Sequence, residues 1–344
     1  MPTVLGSVRR LALTPSFADV TFAERGFPAR PTPATERLEA IPQSVVCGFE
    51  WGIDARTLWE VERRLAMVEP ELRGFAYEGA AMAFTVRDTV NGTRTRDLLL
   101  GSGQPHIFLA YIGIGFAMAR LPRPLWKKVL PDLTGSPYFP TMSWLAVDGY
   151  GFDRAYFDTK RWVDRQYVPA PYPWQGSADY FPRAVDQGIG RALWFIHGAQ
   201  APDVAEAVLR FPEHRRADLW SGVGLAATFA GGCQAAALAA LRTAAAGHGD
   251  HLGLGAVFAT KARHYCGHIP PHTALAASAL AGLTVDEAVA VADETEVAAD
   301  APGSVPAYEL WRQRIRARLA GHSTIQHSPI STAESTQSST ALSK

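Results

Sequence analysis

The stretch "VDQGIGRALWF", residues 185–195, decides how the chain is read. Gly188 and Gly190 stand one residue apart ahead of a helical run, in the manner of a phosphate-binding loop. Such a cradle must follow a buried strand and open a helix. The pattern recurs, however. "YEGAAMAFT", "YIGIGFAMA", "VDGYGFDRA", "WSGVGLAATFA" and "HLGLGAVFA" carry small residues in the same places. Their first glycines fall at 79, 113, 149, 188, 222 and 253, at intervals of 34, 36, 39, 34 and 31 residues. Gly222-Val-Gly224 with Ala227 fits the dinucleotide formula best, yet the preceding "FPEHRRADLW" is charged and strand-free.

The intervals are those of a two-helix repeat. A glycine inside a helix costs about 1 kcal/mol relative to alanine. Two per helix need an offsetting gain, which close approach of neighbouring backbones supplies. Helical spacing is also visible at Leu58, Val61, Leu65 and Val68, in 201–211, in the Ala/Leu-rich 233–246, in 284–294 and in 307–320. "AMAFTVRD" and "WLAVD" are the nearest approach to strands, and their flanks favour helix. The expected fold is mostly α: degenerate two-helix repeats, a solenoid or a ring of helix pairs, in one large domain. We expect an N-terminal arm over 1–40, the repeat domain over 41–320, and a disordered Ser/Thr-rich tail over 321–344.

The chain has 344 residues and is 47% hydrophobic, with 33 basic and 33 acidic residues. Zero net charge argues against nucleic acid as a partner. Three cysteines without a CxxC spacing fit a reducing cytoplasm rather than a disulfide framework. The N-terminus lacks the apolar stretch of a secretory signal. The longest apolar run, 107–119, is shorter than the roughly 20 residues a transmembrane helix needs, so no transmembrane segment is expected.

If the repeats superpose, the residue before each first glycine lies on one ridge: Glu78, Ile112, Asp148, Gln187, Ser221 and Leu252. Four of these six are polar within apolar helices. Buried polar groups need partners, so the ridge is either an internal hydrogen-bond network or the edge of a ligand pocket. The densest cluster of acids and rings is "WLAVDGYGFDRAYFDTKRW", 144–162. Asp148, Asp153 and Glu78 are the candidate catalytic acids. Trp144, Tyr150, Tyr156, Gln187, Arg191, Trp194 and Trp220 are the candidate substrate-binding residues. Arg191, one turn after Gln187, would orient a carbonyl or carboxylate, or pair with Asp186 or Asp153. His264, Cys266, His268 and His272 are ligand types, but a helix ending at Gly267 before Pro270-Pro271 explains that stretch without metal. No HExxH, GxSxG, P-loop or DDxxD motif is present. No metal and no cofactor are expected.

Several segments together carry a resemblance: "PSFADVTFAERGFP", "FAYEGAAMAF", "VDGYGFDRAYF", "RAVDQGIGRALWFIHGA", "FPEHRRADLWSGVGLAATFAGG" and "PHTALAASALAGLTVDEA". From about residue 15 to 295 the chain resembles bacterial proteins of unknown function encoded beside enediyne polyketide synthases. The resemblance implies a role in natural-product biosynthesis, at the stage where a polyene becomes the enediyne core. It brings no catalytic residues with it.

Two readings of function follow. One is an enzyme that cyclises or isomerises an apolar polyene or isoprenoid in an aromatic-lined helical cavity. Lacking DDxxD, it would start by protonation from Asp148 or Asp153. The other is a helical scaffold or carrier for a hydrophobic intermediate, working with other biosynthetic enzymes. An enclosed pocket with Glu78, Asp148 or Asp153 inside favours the first; an open groove with those acids tied up favours the second.

Overall fold

The structure is a computed structural model that describes residues 16–301 and 304–326. It is mostly α, with no strand among the described residues. Seven long helices carry the repeat: α1 (Pro33–Asp54), α3 (Pro70–Asp88), α5 (Ile107–Arg120), α6 (Trp144–Phe157), α7 (Phe181–Ile196), α9 (Glu213–Ala230) and α11 (Gly249–Tyr265). Short helices return the chain between some of them: α2 (Leu58–Ala66), α4 (Arg94–Leu100), α8 (Ala201–Leu209) and α10 (Ala235–Ala244). Between α5 and α6, and between α6 and α7, the return is made of short 3-10 and π turns instead. The chain then adds α12 (Pro271–Ala276), α13 (Val285–Glu294) and α14 (Ala307–Gln326).

Each long helix packs on the next one in the row. The glycines explain how. A Cβ on Gly113, Gly149, Gly188 or Gly222 would stand within 3.0 Å of the carbonyl oxygen of Glu78, Ile112, Asp148 or Gln187, respectively, on the preceding helix. The second glycine of a pair does the same toward the following helix: Gly115 on Ala146, Gly151 on Val185, Gly190 on Leu219 and Gly224 on Leu252. The backbones touch where side chains would otherwise hold them apart, and every such contact adds dispersion and Cα–H···O attraction. The phosphate-loop geometry is absent; these glycines lie inside helices.

The register corrects one end of the repeat. In α11 it is Gly255, not Gly253, that lies on the preceding helix, against the Ser221 carbonyl. Gly253 faces Leu319 and Leu280 instead. The ridge residue of α11 is therefore Leu254 rather than Leu252, and the interval from Gly222 to Gly255 is 33 residues. The row also begins one helix earlier than the glycine pattern indicates, because Gly48 of α1 lies on the Ala76 carbonyl and Gly79 on that of Val45.

The seven helices run in one direction. Arg120 and Ala119, late in α5, meet Asp153 and Arg154, late in α6. Arg183, early in α7, meets Asp218, early in α9, while Trp194 donates to the Gly231 carbonyl beyond the end of α9. The row curls until late ends meet early ones. Arg263 near the end of α11 donates to the Glu71 carbonyl at the start of α3 (3.0 Å), and Gln104 donates to the Tyr265 hydroxyl (3.0 Å). Gly232, past the end of α9, abuts Leu38 of α1. The result is a curled row with an inner face rather than a flat one.

The arm is shorter than expected. Pro33 is the first helical residue of α1, capped reciprocally by Thr32 and Thr35, and the helix continues through Pro42. At the other end α14 runs on to Gln326, past residue 321; the rest of the expected tail lies outside the described residues. α11 ends before Gly267, whose φ of +75° suits glycine, and α12 starts at Pro271. No single helix among the described residues is long and apolar enough to cross a membrane; the stretch Pro271–Ala281 with Val285–Glu294 passes by length and composition only as a pair bent by 66°.

Candidate functional site

The curled row lines an apolar cavity in two adjoining halves. One half, with a cavity volume of about 60 Å³, lies among α1, α3, α5, α6 and α7. The other, about 50 Å³, lies among α3, α5, α6, α7, α9 and α11. Both share Phe75, Glu78, Arg191 and Phe195. Phenylalanines dominate the walls. Phe152 meets Phe195 edge-on at 5.5 Å, and Phe75 meets Phe229 edge-on at 5.4 Å.

Glu78 stands at the junction of the halves. It is 2% exposed, and its carboxyl makes no hydrogen bond or ion pair with any described residue. Burial pushes its pKa up, the Arg191 guanidinium opposes the rise and the Asp148 carboxylate adds to it; the net is a pKa of about 8. Arg191 is already engaged, bonding Asp148 in a buried ion pair and lying over the Phe152 ring at 5.0 Å. Burial raises the Asp148 carboxyl as well, and contact with Arg191 opposes that rise. One guanidinium thus serves two acids. Asp148 holds it directly, so Glu78 keeps its proton at neutral pH. Two carboxyls with different surroundings are the arrangement that separates an acid from a fixed charge.

Asp153 also lines the first half, but it is tied to Arg120 at 2.6 Å. Burial raises its pKa against the pull of Arg120, Arg154 and Arg25. Of the three candidate acids, therefore, Asp148 and Asp153 are salt-bridged and Glu78 is free. Arg191 pairs with neither Asp186 nor Asp153; Asp186 is taken by Arg215 at 2.5 Å.

Most of the candidate substrate-binding residues lie elsewhere. Arg191 and Tyr156 do line the cavity, the Tyr156 hydroxyl donating to the Val20 carbonyl at 2.6 Å. Trp144 packs edge-on against Tyr180 and borders a separate shallow recess near Tyr308. Tyr150 packs among Trp126, Trp162 and Phe181, away from both halves. Trp194 is fully buried with its indole N–H on the Gly231 carbonyl at 2.8 Å. Trp220 is fully buried and borders neither half.

The polar ridge divides in two. Glu78 and Ile112 face the cavity. Gln187 and Ser221 join a buried network under α14. Gln187 donates to Asp218 (2.9 Å) and to the Tyr180 hydroxyl (3.1 Å), and accepts from Tyr308 (3.2 Å). Arg312 donates to Ser221, Asp218 and Glu309 at 3.0–3.1 Å. Burial alone would raise the Glu309 carboxyl, yet Arg312, Arg183 and the Tyr180 hydroxyl outweigh it and hold it at about 2. This network clamps α14 onto α7 and α9.

Sequence reasoning missed Phe75, Phe116 and Phe195 as cavity walls. No group of three or more His, Cys, Asp or Glu among the described residues is placed to hold a metal. His272 instead lies 3.2 Å from the Phe229 carbonyl, and Cys266 bonds the Arg263 carbonyl.

No curated protein and no solved structure matches the chain. A family model described as protein of unknown function (DUF1702) matches residues 4–319. With nearly the whole chain matched, the protein belongs to that family.

Proposed function

We propose that the protein is an enzyme of natural-product biosynthesis that isomerises or cyclises an apolar polyene or isoprenoid chain by proton transfer inside the helical cavity. The carrying observation is Glu78: an unpaired, buried carboxyl with a pKa of about 8 amid phenylalanine rings. Its role is that of a general acid. Glu78 delivers its proton to one carbon of the chain, and the new positive charge spreads over the unsaturated system and meets the ring faces of Phe75, Phe152 and Phe195. Loss of a proton from another carbon returns the chain to neutrality and re-protonates Glu78. The result is a shifted double bond, or a ring where a second double bond attacks the cation first. No oxidant or reductant is consumed. Arg191 receives the Glu78 carboxylate while it lacks its proton, and Asp148 holds Arg191 in place. The dry aromatic wall keeps water from quenching the cation. The resemblance to proteins encoded beside enediyne polyketide synthases points to a polyene as the chain. Three free cysteines suit a cytoplasmic protein working beside other biosynthetic enzymes.

The test is incubation of the purified protein with linear polyenes and prenyl diphosphates in deuterated water, followed by mass spectrometry. Wild type should place deuterium on carbon in the product, and Glu78→Gln should not. A folded wild-type protein that binds these chains and returns them unlabelled and unchanged would favour the carrier reading.

A further inference from the structure

The two cavity halves differ in a way that proton transfer alone does not account for. The half toward α9 and α11 has no charged wall other than Glu78 and Arg191. The half toward α1 carries one further guanidinium, Arg120. Arg120 lines it and is 35% exposed. One nitrogen of Arg120 bonds Asp153, and its other N–H groups meet no acceptor among the described residues. Arg120 and Arg25 lie over the same Phe157 ring, at 4.8 and 5.1 Å. Arg25 lies outside the lining and donates to the Phe157 carbonyl at 2.6 Å, and Arg154 turns to the Ala119 carbonyl and the Tyr150 ring. One rim of the apolar cavity therefore carries uncommitted guanidinium donors on Arg120.

We infer that this rim is a head-group site: an anionic terminus, carboxylate or phosphate, docks on Arg120 while the attached chain threads past Glu78 into the apolar half. This rests on the reading of the cavity as the substrate site. Uncommitted guanidinium donors suit such oxyanions, which accept two parallel N–H bonds. Asp153 holds one nitrogen of the guanidinium at 2.6 Å. The consequence is regiochemical: the carbon that Glu78 reaches is internal, and its position is counted from the anionic end.

The test uses parinaric acid, a linear conjugated tetraene carboxylate that fluoresces on leaving water, and its methyl ester, each titrated into the full-length protein. The acid should bind about tenfold more tightly than the ester, the worth of one charge-assisted contact. In the double variant Arg120→Gln/Asp153→Asn, which removes cation and anion together and leaves neither charge buried alone, that preference should vanish while ester binding persists. Farnesyl diphosphate and farnesol as competitors tell phosphate from carboxylate: the anion that gains most over its neutral counterpart names the head group. If neither anion outbinds its neutral counterpart, or the double variant keeps the full preference, the head-group site is overturned. The readout is binding without turnover, so failure of proton transfer at Glu78 does not touch it.

Discussion

Glu78 and Arg191 line both halves of the same cavity, yet the guanidinium bonds Asp148 and not Glu78. One cation between two acids leaves one of them protonated, and the free one is Glu78. Its stability signature follows. The carboxyl pKa rises from 4.5 to about 8 on folding, so the folded state holds a proton that the unfolded state has lost. Folding stability then falls as pH rises through that window, is unaffected below it, and levels off above about 8. At about 1.4 kcal/mol per unit the full effect is roughly 5 kcal/mol. Glu78→Gln should lose this slope and gain on wild type as pH rises, read as the difference in urea midpoint at the two ends of the window. Parallel pH curves for the two proteins would remove the buried-acid assignment.

Breaking the neighbouring pair should act differently. Arg191→Met leaves Asp148 buried without its partner, an arrangement that costs about 3–5 kcal/mol. Adding Asp148→Asn should recover much of that loss. Denaturant unfolding of both variants checks it; equal losses would mean that the pair does not couple.

Glycine contacts give the fold its own test. Gly188→Ala puts a Cβ within 3.0 Å of the Asp148 carbonyl and forces two backbones apart. We expect a loss of about 3 kcal/mol or more, or failure to fold. Gly249→Ala, at the start of α11 with open space around it, should instead be neutral or stabilising by up to about 1 kcal/mol. Similar melting temperatures for the two variants would contradict the role given to the repeated glycines.

The α14 clamp has the opposite pH sign from Glu78. Glu309 drops from 4.5 to about 2 on folding, so its stabilisation is present above 4.5 and is lost as pH falls toward 2. The contribution is about 3 kcal/mol. Glu309→Gln should be destabilised at neutral pH and approach wild type in acid, as followed by urea unfolding across that range. A constant difference at every pH would mean that the loss is one of packing alone.

The recurring small residues made the helical repeat and its interhelix contacts legible, because a glycine pair inside an otherwise good helix has few other uses. Gly253 misled because α11 is the last helix of the row and packs that glycine against α14 instead of a further repeat. Glu78 was legible as a polar residue on the ridge. What was not legible was which part of the ridge meets the cavity. Gln187 and Ser221 look equivalent to Glu78 along the chain, but α14, a hundred residues or so later in the chain, supplies Tyr308 and Arg312 to absorb them. The aromatic-rich segment 144–162 drew attention by density, yet a helix sends successive rings to different neighbours. Phe152 and Tyr156 face inward, while Trp144 and Tyr150 pack away from the cavity. The walls at Phe75 and Phe195 come from two helices brought opposite each other only by the curl of the row.

The central claim is that Glu78 is a protonated acid at neutral pH in an apolar cavity, and infrared spectroscopy reads that state directly. The difference spectrum of wild type minus Glu78→Gln should show the C=O stretch of a protonated carboxyl, and the band should fade as pH is raised through about 8. A difference spectrum showing only ionised carboxylate at neutral pH would contradict the account.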